Sequence, residues 1–301
     1  MTRVIAVTGA TGALGARVAD RVVAGAAAAD ATVRLVVRNG ARAPRLPGAA
    51  VTEFPGGYAD GAGFREALAG VHTLYLVSAA EAEDRLQQHL TAVTAAADAG
   101  VQRIVYTSFL GAGRPDPVFT LVRHHHATEQ AIAGTGVRWT ALRHSMYADF
   151  VPFFAVPEGD RSVIAAPAGE GRASFVSRDD LADVGAAVLL DDSGRFDGQA
   201  LDVTGPAALS MAEAAQVLAE VTGRPAEYRE QTVEEAWATR RPSGHPDWEV
   251  EGWVTSYLAI AAGELATVSD VVPAVTGHPA RTVEEHLRRH PEDWAALVRP
   301  S

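Results

Sequence analysis

The first fifteen residues limit this chain more than any other part of it. The apolar run Val4-Ile-Ala-Val7 leads into Thr8-Gly-Ala-Thr-Gly-Ala-Leu-Gly15, and an alanine-rich stretch with apolar residues at helical spacing follows. Strand, glycine turn and helix in direct succession are the context that a dinucleotide fingerprint requires. Gly9 permits the tight turn, Gly12 lets backbone approach a pyrophosphate with no Cβ in between, and Gly15 lets the helix pack close to the strand. The helix N-terminus then meets the anion with free N–H groups and the positive end of its dipole. The bland alternative is a glycine turn that binds nothing, and the flanking strand and helix argue against it.

Composition excludes several chemistries outright. Cysteine is absent, so there are no disulfides, no thiol nucleophile and no cysteine-ligated metal. All 26 basic residues are arginine. Without lysine the chain cannot form a Schiff base or use a side-chain ammonium in catalysis. A net charge of −11 opposes a nucleic-acid surface, which needs a basic stripe over phosphates. No apolar run approaches the roughly 18 residues of a membrane span. The N-terminus enters the first strand directly and leaves no room for a signal peptide, so a cytoplasmic location is expected.

Apolar, β-branched runs alternate with helical stretches, as in a parallel sheet wound by crossover helices. Strands are expected at Val4–Val7, Val33–Val37, Val51–Phe54, Thr73–Val77, Arg103–Thr107, Arg138–Leu142 and Ala200–Val203. Helices are expected at Leu14–Ala26, Gly61–Leu68, Ala82–Ala99, His124–Ala133, from Asp179-Asp180 through the apolar Leu181–Leu190, and at Ser210–Thr222, Val233–Thr239, Trp248–Ala262 and Thr282–His290. Ser210-x-x-Glu213 carries a capping pattern, and Arg240–Trp248, with Pro242, Gly244 and Pro246, is expected to be a mobile loop. The fold class is α/β: a doubly wound parallel sheet (Rossmann fold) with a smaller C-terminal α/β substrate lobe. Residues 1–150 would form the NAD(P)-binding domain, and 151–301 mainly the substrate lobe, with some segments returning to the first domain.

The end of the second strand selects the cofactor. A carboxylate there would read the ribose 2′-hydroxyl of NAD, but Val33–Val37 runs into Arg38-Asn39, and Asp30 lies at the opposite end. Arginine suits a 2′-phosphate because its planar fork makes paired, charge-assisted hydrogen bonds. The expected cofactor is NADP (NADPH), with Arg38 as reader and Arg42 as a neighbour able to assist.

The segments Thr8–Gly15, Val36-Val-Arg-Asn39, Tyr106-Thr-Ser108, Leu142-Arg-His-Ser-Met-Tyr147 and the late Val275–Glu285 together resemble the NmrA-like branch of the atypical short-chain dehydrogenase/reductases. Within it the chain is most similar to type 2 NADPH:quinone oxidoreductases and triphenylmethane reductases. The resemblance implies that Gly9, Thr11, Gly12, Ala13, Leu14 and Gly15 hold the pyrophosphate and Arg38 the 2′-phosphate. It places Val77 and Ser78 beside the cofactor ribose, Thr107 and Ser108 near the nicotinamide, and Arg143–Tyr147 along one wall of the substrate pocket. Relatives often carry Asp-Tyr against the adenine, where this chain has Gly57-Tyr58, so no side chain reaches out from the first of those positions.

Many members of the superfamily use Tyr-x-x-x-Lys, in which lysine lowers the tyrosine pKa for proton donation. By alignment those positions fall at His126 and Gln130. Gln130 retains a hydrogen bond to the nicotinamide ribose but brings no charge. His126 is one candidate acid, and Tyr147 is the other. Successive histidines in His124-His-His126 project about 100° apart on a helix and cannot chelate one metal, so no metal is expected. Trp237, Trp248, Trp253, Tyr257, Phe150, Phe153 and Phe154 are either lobe packing or the lining of a flat apolar pocket.

The function these residues imply is transfer of hydride from NADPH to a quinone-like or other conjugated aromatic acceptor. The alternative is an NmrA-type regulatory protein that senses NADP(H) without turnover. The expected partner is a small aromatic molecule, a homodimer is left open, and neither nucleic acid nor membrane is expected.

Overall fold

In β1 (Arg3–Thr8), Ile5 and Val7 enter one buried cluster while Val4 and Ala6 pack into another, so both faces of the strand are covered. A strand buried on both faces reads as an unbroken apolar run and belongs in a parallel sheet. The computed structural model describes residues 2–298 and bears this out along the chain. After β1 come α1 (Ala13–Ala26), β2 (Ala31–Val37), β3 (Ala49–Glu53), α2 (Gly61–Ala67), β4 (Thr73–Leu76), α3 (Arg85–Asp98), β5 (Arg103–Phe109), α4 (Val122–Gly134) and β6 (Arg138–His144). The chain continues through α5 (Phe150–Phe153), β7 (Ala155–Glu158), β8 (Arg161–Ala166), β9 (Arg172–Ala173), α6 (Arg178–Leu190) and β10 (Gln199–Val203). It closes with β11 (Leu209–Ser210), α7 (Met211–Thr222), β12 (Ala226–Glu230), α8 (Val233–Arg240), α9 (Asp247–Ala261), α10 (Val271–Thr276) and α11 (Val283–Arg289).

Seven strands form one parallel sheet in the order β10-β6-β5-β4-β1-β2-β3. The chain builds outward from β1 to β3, then returns to the other side of β1 to add β4, β5 and β6. The reversal opens a crevice beyond the carboxyl ends of β1 and β4, where doubly wound folds bind their ligands. One face is covered by α1 and α6, through Val18, Val22, Leu181, Val184 and Val188. The other is covered by α2, α3 and α4, through Phe64, Leu68, Ala92, Ala96 and Ile132. Both α6 and β10 come from beyond residue 150, so the later half of the chain completes the sheet and one of its covers.

A smaller mixed sheet, β12-β8-β7, lies in the later half, with β8 parallel to β12 and antiparallel to β7. Its core is separate: Val151, Ile164, Met211, Leu218, Tyr257, Ile260 and Leu287 pack together. Helices α8 and α9 share a further small cluster, Ala236, Val250 and Val254, flanked by Trp237 and Trp253. The expected helix from Ala82 begins only at Arg85. The stretch expected as a mobile loop is mostly ordered: α8 runs to Arg240, Arg241–Ser243 is a 3₁₀ turn, and α9 starts at Asp247. The prolines cause this, since Pro242 sits in the first positions of the turn and Pro246 occupies the N-cap of α9. The capping box between Ser210 and Glu213 forms as the sequence predicts.

Polar groups inside the fold are tied to backbone. Arg103 is 1% exposed; it donates to the carbonyls of Val188 (2.9 Å) and Asp191 (2.7 Å) and pairs with Asp197 at 2.9 Å. It thereby caps the C-terminal end of α6 with a cation. Histidines are handled differently. Burial holds His89 and His144 at about 3, against an ordinary 6.5, and also pushes His125 and His286 down. Each is neutral when folded and takes up a proton on unfolding once the pH drops below 6.5. Stability is therefore full above that value and is lost as the pH falls toward the folded-state pKa, by up to about 1.4 kcal/mol per unit for each ring. Urea titrations at about pH 7 and about pH 5 are expected to show an unfolding free energy several kcal/mol lower at the acid pH. A level or rising value would mean that these rings are charged in the folded protein.

Candidate active site

Thr8 ends β1 and organises the crevice. Its hydroxyl donates to the Tyr75 carbonyl (2.9 Å) and accepts from the Val77 N–H (2.9 Å), which stitches the exits of β1 and β4 together. The Tyr58 hydroxyl joins them, 2.7 Å from Thr8 Oγ1 and 2.8 Å from the Val77 carbonyl oxygen. Gly9 follows with φ +64°, and a Cβ there would lie 2.9 Å from Val77 Cβ. At Gly15 a Cβ would lie 2.2 Å from the Gly9 carbonyl oxygen, so α1 could not approach the turn. Gly12 differs from both. Its φ is −98°, and a Cβ would meet only the Gly9 oxygen, at 3.4 Å. The protein's own packing thus tolerates alanine at 12, and the bare backbone there serves whatever lies outside.

The α1 N-terminus is left open to an anion. Its N-cap is Gly12, no side chain caps it, and its first turn has no acidic residue. Thr11, Gly12 and Ala13 are exposed, while Leu14 and Gly15 turn inward. The first N–H groups of any helix have no partner within it and carry the positive end of the dipole. These residues therefore fit a pyrophosphate.

Arg38 stands immediately beyond β2, exposed, and makes no hydrogen bond or ion pair to the described residues. Its methylene chain runs close above Gly57, where a Cβ would be 3.4 Å from Arg38 Cδ, and Gly57 itself has φ +63°. Glycine at 57 leaves room for the arginine to lie across the turn. The guanidinium is free for a phosphate.

At the other end of the crevice, the Ser78 N–H donates to Thr107 Oγ1 at 2.7 Å and joins the exits of β4 and β5. Ser108 donates to Glu129 Oε1 at 2.5 Å, and Glu129 is held by Arg143 through Nε (2.9 Å) and Nη2 (2.6 Å). A carboxylate only accepts, so the hydroxyl proton of Ser108 is committed to it. Toward a ligand, Ser108 presents lone pairs rather than a proton. His126 and Gln130 lie one turn apart on α4, half-buried and exposed respectively, with no hydrogen bond to another described residue. Tyr147 follows β6 and packs with the α1–α6 layer, so the two candidate acids approach from opposite faces of the sheet. The Arg178 guanidinium lies 4.5 Å over the Tyr147 ring and is paired with Asp149. Burial raises the Tyr147 pKa, while Arg178 and Arg85 oppose the rise.

One polar group was not visible from sequence spacing. Arg85 is 4% exposed and donates to the Ala79 carbonyl (3.0 Å) and to His125 Nε2 (3.0 Å). The other nitrogen of His125 lies 2.9 Å from the Tyr106 hydroxyl. His89 Nε2 accepts from the Ala79 N–H at 2.8 Å, and its Nδ1 faces Thr128 Oγ1 at 3.0 Å. Arginine and amide N–H groups can only donate, so both histidines are neutral with the proton on Nδ1. The residues come from α3, β5 and α4. For Arg85 and His89 the sequence offers only an i, i+4 polar pair on one helix, which any solvated helix face can carry, and nothing in the His124-His-His126 run links His125 to them. Asp180, Asp183 and His278 come together as metal-type ligands, but Arg281 and Arg21 already neutralise the carboxylates. A concavity of about 460 Å³ between Gly40 and Val51 lies outside the crevice.

A doubly wound parallel sheet with a glycine turn at its switch point is the Rossmann-type architecture. Residues 1–243 match the NmrA-like family, and the chain belongs to it. It is 30% identical to the NAD(P)H azoreductase of Xenophilus azovorans, over 97% of this chain and 99% of that protein. It superposes on the NADPH complex of the Escherichia coli NADPH-dependent quinone oxidoreductase with a TM-score of 0.83, at 29% identity and covering 95% and 99% of the two chains. The triphenylmethane reductase of Citrobacter sp., solved with NADP(H), gives 0.80 at 30% identity, covering 94% and 98%.

Two alanine substitutions separate binding from folding. Gly12→Ala is expected to leave the thermal midpoint within a degree or two while weakening NADPH by about tenfold or more. Gly15→Ala is expected to destabilise the fold by about 1–3 kcal/mol through the clash with the Gly9 carbonyl. Calorimetric titration beside thermal melts reads both, and equal effects of the two on stability would sink the distinction.

Proposed function

We propose that this NAD(P)H-dependent oxidoreductase uses NADPH to reduce a quinone-like or other conjugated aromatic acceptor. The observation that carries the reading is the pairing of an uncapped α1 N-terminus with an unpartnered Arg38 at the end of β2. One site suits a pyrophosphate, and the other a 2′-phosphate. The complexes of two relatives at 29% and 30% identity with NADPH or NADP(H) support the same choice.

Bound NADPH supplies a hydride from the nicotinamide. The chain's part is then placement. Gly9, Thr11, Gly12, Ala13, Leu14 and Gly15 would hold the pyrophosphate, Val77 and Ser78 would pass beside the cofactor ribose, and Gln130 would serve the nicotinamide ribose. Thr107 and Ser108 would lie near the nicotinamide, and Tyr147 would form part of the pocket wall. A reduced quinone is a stabilised phenolate, which water can protonate, so the lysine-free site needs no strong acid in the hydride-transfer step. Its work is to align two flat rings and exclude water.

Arg38→Ala is expected to weaken NADPH by about 10- to 100-fold and to leave NADH affinity nearly unchanged. Following NADPH oxidation in its near-ultraviolet band with a panel of quinones and dyes tests the activity. Saturable turnover that prefers NADPH supports the reading. Tight NADPH binding without turnover by any acceptor would replace it with a regulatory sensor.

A further inference from the structure

Arg85 is a buried cation with no counter-ion in contact. Its Nε and Nη2 donate to neutral acceptors, the Ala79 carbonyl and His125, and its Nη1 is buried without a partner. No carboxylate lies within ion-pair distance among the described residues; the one that bears on it, Glu81 in the preceding loop, is solvent-exposed. The other groups facing it are His89 on its own helix, Tyr106 from β5, His124 and His125 from α4, and Tyr147 beyond β6. None of these carries a negative charge at neutral pH. Arginine keeps its proton even when buried. Isolated buried cations are costly, and this one sits at the N-terminus of α3, on the carboxyl edge of the sheet that opens into the crevice.

We propose that Arg85 sets the charge class of the acceptor, favouring a neutral conjugated carbonyl that becomes an oxyanion over an acceptor that is already cationic. The inference rests on the reductase reading above. Hydride addition to a neutral quinone transfers two electrons and one proton to it. A carbonyl oxygen becomes a phenolate oxygen, the dihydronicotinamide is oxidised, and the second proton comes later from water. Hydride addition to a cationic triarylmethane dye instead neutralises the dye. A fixed positive charge stabilises the developing oxyanion and disfavours binding of the cation. Arg85 acts through the field at the crevice, where low polarisability and the absence of a counter-ion leave it weakly screened. It is a positioning charge and does not touch the substrate.

The first readout needs no turnover. 4-Nitrophenol, titrated spectrophotometrically in the presence of protein and NADP⁺, mimics the phenolate product. The wild type is expected to hold it as phenolate, with its apparent acidity raised about tenfold or more over the free dye. Arg85→Gln should abolish that shift, and Arg85→Lys, which restores the charge, should recover most of it. In turnover, Arg85→Gln should lower kcat/KM for a neutral naphthoquinone by about 10- to 100-fold and leave a cationic triarylmethane dye unchanged or improved. Circular dichroism and NADPH affinity report whether the glutamine variant is folded. If it is not, the wild-type phenol titration and the lysine variant decide alone. Binding of 4-nitrophenol as the neutral phenol, no binding up to millimolar dye, or an unchanged shift in a folded Arg85→Gln protein would each overturn the proposal. Wild-type inactivity toward every acceptor would instead count against the reductase reading, and the phenol titration keeps the two failures apart.

Discussion

A parallel sheet buried on both faces leaves one edge for chemistry. The apolar side chains of β1, β4 and β5 are taken by packing on the two faces, and the strand backbones are paired with their neighbours. The polar groups that face the crevice sit where the strands end. The Thr8 hydroxyl fastens two of those ends together with Tyr58, and the Ser78–Thr107 hydrogen bond fastens the next two. The crevice floor is made of strand exits tied to one another rather than of a free loop. Under the proposed function such ties serve ring alignment, since small misplacements cost rate heavily.

Much of this was legible in the sequence because the signals were local. The glycine turn, the β-branched runs and the capping box at Ser210 are each contained within a few residues. The strands of the main sheet fall within two residues of where their apolar runs begin and end. The small sheet escaped notice for a physical reason. Strand β7 has four residues and buries only Ala155, and β8, although well buried, is joined in parallel by β12 from some 60 residues away. A hairpin signal was present in Gly159-Asp160 between two apolar stretches, but Pro157 weakened it. In the candidate site, backbone-defined features such as Gly12 and Arg38 could be placed from position alone. Glu129, His125 and Arg85 could not, because their partners come from other elements and become visible only when α3, β5 and α4 converge.

The absence of lysine gives the interior its character. The buried and half-buried cations that brace the sheet here are guanidinium groups, and the chain uses the planar fork in distinct ways. Arg103 caps helix carbonyls, Arg143 grips Glu129 with two nitrogens, and Arg178 stacks on Tyr147 while paired to Asp149. Lysine could not replace any of these without losing geometry. Arginine also cannot give up its proton at neutral pH, so none of these groups can serve as an acid in a catalytic cycle.

That limitation extends to the histidines. His125 accepts from Arg85 and His89 accepts from the Ala79 amide, so both rings are held neutral with the remaining proton already directed at Tyr106 or Thr128. His144 is neutral through burial. Ser108 has spent its proton on Glu129. The shell around the crevice is thus built largely from acceptors and fixed cations, with His126 and Tyr147, the two candidate acids, on opposite sides of the sheet. A reaction that required proton delivery in its rate-determining step would need one of them aligned with the reacting atom. Reduction of a quinone, the reaction proposed above, makes no such demand, because its anion is stable until water reaches it. The residues present therefore match an acceptor that tolerates being left charged.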